Sequence, residues 1–213
     1  MNNKLLSLSN YLKDKNLKKE YLYLKKIAQS DPNDFEEYFS KKEVQDWLKD
    51  LPEDELISVS SGLISSITDT SGSCSITYKP RGLWYAIGSG WIDFLTYESP
   101  DRTSEVNYIY KVKPKYSSGL NSSGGVLKLN NKMDVINFSM RFGTTSQHGT
   151  GTDRIDWAKV STIWDGVEII PYQDSLRLSD YTEWYYAWDL PSGCIWRSGG
   201  ASDLELIRSR PGL

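Results

Sequence analysis

The spacing of apolar residues changes at Pro52, and that change limits what the chain can fold into more than any single motif does. Before it, Leu5, Leu8, Tyr11 and Leu12, then Leu17, Tyr21, Leu24 and Ile27 or Ala28, recur at helical spacing. After it, "LISVSSGLISSITDTSGSCSITYKPRGLWYAIG" is rich in Ser, Thr, Ile and aromatics with Gly breaks, the composition of short strands. "EVNYIYKVKP" alternates Val106, Tyr108, Tyr110 and Val112 on one strand face. "GGVLKLNNKMDVINFSMRFG" predicts a short strand followed by a helix carrying Val135, Ile136, Phe138 and Met140. "IDWAKVSTIW" predicts a short helix, "DGVEIIPY" and "SGCIWRS" predict strands, and "WIDFLTYE" fits either helix or strand. Helices first and mixed strands afterwards predict an α+β chain. The expected organisation is an N-terminal helical segment over 1–52, then a mixed, mainly antiparallel β domain with short helices over 53–213.

Charge reinforces that division. The first thirty residues carry seven lysines against Asp14 and Glu20, whereas 31–55 carry ten acids against Lys41, Lys42 and Lys49. Asp31 and Pro32 suit the start of one helix, and Ser40 with Glu43 forms a capping box for the next. Such a split predicts solvated helices that pack on each other, with a partner-binding segment as the sharper alternative.

Composition removes several function classes. With 25 basic and 28 acidic residues, no global attraction to nucleic acid or an anionic membrane is expected. No apolar run reaches membrane-spanning length, and "MNNKLLSLSN" lacks the pattern of a secretory leader. Two cysteines, Cys74 and Cys194, suit a reducing compartment, although one bridge between them stays open. The cytoplasm, or that of an infected host cell, is the expected location, since the Lys-, Asn- and Ser-rich composition resembles that of phage-encoded proteins. One histidine, His148, excludes a multi-histidine metal site, and its setting in "TTSQHGTGTDR" predicts a loop residue. Eight Trp and fourteen Tyr outnumber five Phe, which favours half-wet clefts, because each such ring carries a polar tip.

The densest aromatic stretch is "KPRGLWYAIGSGWIDFLTY". It resembles the second conserved strand-plus-helix of the ADP-ribosyltransferase fold, which includes the poly-ADP-ribose polymerases and diphtheria-type toxins. The resemblance sets Gly82-Leu83-Trp84-Tyr85-Ala86 on the strand, with a helix ending at Phe94 or Tyr97. It implies an NAD site in which Tyr85 and Trp91 or Tyr97 sandwich the nicotinamide ring. Ser61-Gly62 stands where that family has His-Gly, so the histidine is absent, while His148-Gly149-Thr150 comes too late in the chain. A second register resembles the arginine class of the same fold. Here Arg81 would clasp the pyrophosphate, Thr144-Thr145-Ser146 would order the site, and Asp203 and Glu205 in "SDLELI" would supply the catalytic carboxylate, Glu205 foremost.

Transfer of ADP-ribose passes through an oxocarbenium-like state that a carboxylate stabilises. In the first register "DGVEIIPY" supplies Glu168 as the candidate, and "WDLPSGCIW" supplies Asp189. Ser192-Gly193 occupies the position before the late strand where the family has glutamate, a departure that implies lost or relocated chemistry. The implied function is therefore an NAD-dependent ADP-ribosyltransferase or NAD glycohydrolase with an unspecified acceptor. Two rivals remain: a non-enzymatic accessory protein that binds a partner through its N-terminal helices, and a carbohydrate binder using "EWYYAWD". A scaffold predicts those aromatics buried and packed; an enzyme predicts a carboxylate at an aromatic slot.

Overall fold

The computed structural model describes residues 51–98, 102, 105–145 and 151–210. By its contacts the chain divides between Asp50 and Leu51, and the described residues all belong to the second unit, Leu51–Leu213. The helices expected before Pro52 lie outside the described residues, as do Ser146 and His148.

Ten strands dominate the described chain: β1 (Leu56–Ser60), β2 (Ile76–Thr77), β3 (Leu83–Ile87), β4 (Tyr108–Pro114), β5 (Val126–Lys128), β6 (Gly143–Thr145), β7 (Thr152–Asp156), β8 (Gly166–Ile169), β9 (Ser192–Ile195) and β10 (Ala201–Ser209). Three α-helices accompany them: α1 (Gly90–Glu98), α2 (Lys132–Phe142) and α3 (Trp157–Ser161). Seven strands form one sheet in the order β10-β4-β1-β3-β9-β8-β5, and β2-β7-β6 form a second, smaller one. Neighbours in both are antiparallel except β5 and β8.

The α+β expectation, and the ADP-ribosyltransferase-like architecture attached to it, is thus corrected to a mainly β domain. Among the described residues its helices are too few and short to form a layer of their own, at nine, eleven and five residues. "EWYYAWD" adds only 3₁₀ turns within Asp180–Ala187, broken by the non-helical backbone of Thr182. Local chemistry fixes the helices that do form. Asn131 accepts a bond from the Asp134 amide at the start of α2, and Asp156 caps α3 by accepting from the Lys159 amide. Along α2, Val135, Phe138, Ser139 and Phe142 fall on one buried stripe.

The large sheet curls. Tyr116, just past β4, makes a parallel bridge to Val126 of β5, although four strands stand between β4 and β5 in the sheet order. The concave side then gathers Tyr85, Val112, Val126 and Ile195 from four strands, with Leu83 and Leu204 against them. The convex side meets α2, α3 and the small sheet in an aromatic core that includes Phe138, Trp157, Trp164, Trp184, Trp188 and Trp196. Indole donors in this core are paired where the chain supplies acceptors: Trp184 Nε1 donates to Ser139 Oγ at 2.8 Å and Trp196 Nε1 to the Trp164 carbonyl at 2.8 Å. Cys194 is buried in the same core, Cys74 packs against it, and both are free thiols.

Candidate functional site

β8 reads Gly166-Val167-Glu168-Ile169, and all four residues are buried. Val167 and Ile169 belong to the convex aromatic core, so strand alternation turns Glu168 into the concave side. Among the described residues it is the one charged side chain in the buried class, at 2 % exposure. Burying a carboxylate is costly unless donors surround it.

Three donors do. Tyr85 Oη donates to Glu168 Oε2 at 3.0 Å, and Tyr116 Oη donates to the same oxygen at 2.8 Å. Lys128 Nζ lies 3.5 Å from Oε1. Burial, and after it the charge of Glu168, drives the hydroxyls of Tyr85 and Tyr116 above the ordinary phenol range, so both remain protonated and donate at neutral pH.

Sheet register explains how these side chains meet. Gly193 of β9 lies opposite Tyr85 of β3 on one side and opposite Glu168 of β8 on the other. Glu168 in turn faces Lys128 of β5. Tyr85 must therefore reach across an intervening strand, a span of about 9.6 Å between β3 and β8 at ordinary strand spacing. It can do so because position 193 has no side chain: a Cβ there would sit 2.8 Å from Tyr85 Cε2 and closer still to Cζ and Oη. Ser192-Gly193 is where the resemblance would put glutamate. The ring of Tyr85 fills that place, and the carboxylate of the row comes instead from the neighbouring strand.

Tyr116 and Lys128 form the half-open side. Tyr116 is 40 % exposed, and the Lys128 ammonium sits 3.9 Å from the centroid of its ring. The Tyr116 backbone is tied on both flanks, since the Val126 amide donates to the Lys115 carbonyl at 2.8 Å and the Ser117 amide donates to the Val126 carbonyl at 2.9 Å. Gly125, at φ +65°, lets the strands come that close, because a Cβ would meet the Lys115 carbonyl oxygen at 2.5 Å. Chemically, the cluster presents a carboxylate that can stabilise a developing cation or accept a proton.

Of the candidate residues, Tyr85 and Glu168 are brought together. Trp91 is not with them: it packs edge-on against Trp84, with ring centroids 6.0 Å apart, and Trp84 belongs to the convex core. Trp91 and Tyr85 consequently stand on opposite sides of β3. Ser61 and Gly62 form an exposed turn beyond β1, where Asn107 Nδ2 donates to the Ser61 carbonyl. Arg81 is exposed, and its carbonyl accepts from Thr70 Oγ1 at 2.9 Å. Glu205 lies exposed on β10, opposite Lys111, with four strands between it and β8 in the sheet order. Asp189 is engaged with Lys79 at 2.7 Å and Arg177 at 3.8 Å. The side chain of Tyr97 lies outside the described residues.

Sequence reasoning missed Tyr116 and Lys128. A signal existed for the lysine: "VLKL" and "GVEI" each carry one charge, of opposite sign, in an otherwise apolar strand. Two such interruptions pair well as register neighbours. Tyr116, outside any strand pattern, gave no such signal. Among the described residues there is no group of three or more His, Cys, Asp or Glu able to hold a metal, and no helix is long and apolar enough to cross a membrane. Compared with known protein families, characterised proteins and solved structures, the chain matches none.

Proposed function

We propose that this domain cleaves the nicotinamide–ribose bond of NAD, passing ADP-ribose to an acceptor or to water, with Glu168 as the carboxylate. In that reaction the C1′–N bond breaks with its electron pair staying on nicotinamide. A bond forms from C1′ to the acceptor oxygen, whose proton passes to a base. Glu168 faces the cationic sugar carbon in the transition state. One observation carries the reading: the buried carboxylate accepts a bond from Tyr85, on the strand that carries the family resemblance. A desolvated acid ringed by donors is what functional sites retain despite its cost. The sandwich of Tyr85 with Trp91 drops out, because those rings lie on opposite sides of β3. Calorimetry with NAD, combined with chromatography for free nicotinamide, tests the proposal. Micromolar binding and steady release over hours support it; no heat at millimolar NAD and no nicotinamide overturn it.

A second reading is a non-enzymatic accessory protein whose partner binds the segment 1–52. Its support is the full burial of Trp184, Tyr185 and Trp188, as a packed scaffold requires.

A further inference from the structure

Glu168 is nearly inaccessible, yet two of its three partners are open to solvent. The carboxylate is 2 % exposed, while Tyr116 is 40 % exposed and the Lys128 side chain 39 %. Tyr85, the third partner, is fully buried and covers the inner side. Of the two groups bonded to Oε2, Tyr116 is the one that reaches solvent, so its ring is the cover on that oxygen's open side.

That ring has a telling set of contacts. Its hydroxyl donates to Oε2 at 2.8 Å, and its face lies under the Lys128 ammonium at 3.9 Å. With the backbone bonded on both flanks, any movement of Tyr116 would be confined to its side chain. When it leaves, Oε2 keeps the bond from Tyr85, so the carboxylate is not stranded.

We infer that Tyr116 stands in for substrate: it swings aside, and a hydroxyl of the incoming molecule takes its place on Glu168 Oε2 beneath Lys128. The ligand class is accordingly a hydroxyl donor on a ring, a sugar ring in the reaction proposed above, on which this inference rests for the sugar's identity. Tyr116 is thus a positioning residue that controls access.

The test is carbodiimide labelling of Glu168 with an amine nucleophile, mapped by peptide mass, in wild type, Tyr116→Phe and Tyr116→Ala. Alanine is expected to speed labelling at least about tenfold, equivalent to about 1.4 kcal/mol of opening free energy. Phenylalanine keeps the cover but lacks the hydroxyl, so it should stay near wild type. Millimolar 4-methylphenol should protect the alanine variant, while toluene, the same shape without a hydroxyl, should not. Equal rates for Phe and Ala would overturn the inference, since the effect would then be on carboxyl reactivity and not on access. Protection by both aromatics, or by neither, would overturn it too. None of these readings depends on NAD. Absence of nicotinamide release would sink the proposed reaction and leave the gate standing.

Discussion

Replacing Gly193 by alanine probes the centre of the row directly. The backbone there is one that any L-residue adopts, so the cost comes from contact alone. The new methyl would overlap Tyr85 Cζ and Oη, and the ring must shift off the strand. Its 3.0 Å bond to a buried carboxylate is then lost, worth about 1.5–3 kcal/mol for a charged partner. Overpacking a tight site adds about 1–3 kcal/mol. Gly193→Ala should therefore destabilise by about 3–5 kcal/mol, lowering the melting midpoint by about 10 °C for a unit of this size. The assay is urea unfolding followed by tryptophan fluorescence, in a double-mutant cycle with Tyr85→Ala. Once the ring is gone the methyl has room, so Gly193→Ala should cost less than about 1 kcal/mol in that background. An equal cost in both backgrounds would refute the idea that Gly193 is glycine for the sake of Tyr85.

Further outcomes follow from the same contacts. Tyr85, Tyr116 and Tyr185 have hydroxyls raised by burial, so the folded state keeps protons that the unfolded state loses above pH 10.0. Stability should be flat in this respect below that pH and fall as pH rises beyond it, by about 1.4 kcal/mol per pH unit for Tyr85; absorbance at alkaline pH should show these phenolates only together with unfolding. Gly125→Ala, at φ +65° and against the Lys115 carbonyl, should cost about 1–3 kcal/mol in denaturant and also expose Glu168 to carbodiimide, because it loosens the tether of Tyr116. Burial raises both thiols, so a disulfide reagent at neutral pH should leave Cys194 unmodified until denaturant is added, with Cys74 reacting first.

Some strands were legible because their periodicity is local: "EVNYIYKVKP" alternates, and "GVEII" is short and apolar; β10 was not, and β6 with the start of β7 lies in "TTSQHGTGTDR", whose composition reads as loop. Less legible was the balance of the fold. Short stretches such as "WIDFLTYE" carry no period that separates helix from strand, and only packing on β1 and β3 settles α1 as helix. The site was half visible. Tyr85 and Glu168 could be named because the resemblance points to the strands that hold them, but their meeting depends on Gly193 lying in the same row. Register is a property of three strands distant in sequence, and no single segment encodes it. The resemblance made Trp91, or Tyr97, the partner of Tyr85. Strand alternation sends Trp84 to the convex side, and Trp91 packs with it.

The proposed reaction requires Glu168 as its carboxylate. The most direct measurement is nicotinamide release from NAD by Glu168→Gln beside Glu205→Gln, the exposed glutamate at the far edge of the sheet. The glutamine at 168 keeps an oxygen acceptor for the two tyrosines and should fold, yet release should fall by at least about a hundredfold, a loss of about 2.7 kcal/mol of transition-state stabilisation. The Glu205 variant should match wild type. Release that survives Glu168→Gln, or disappears with Glu205→Gln, would contradict it.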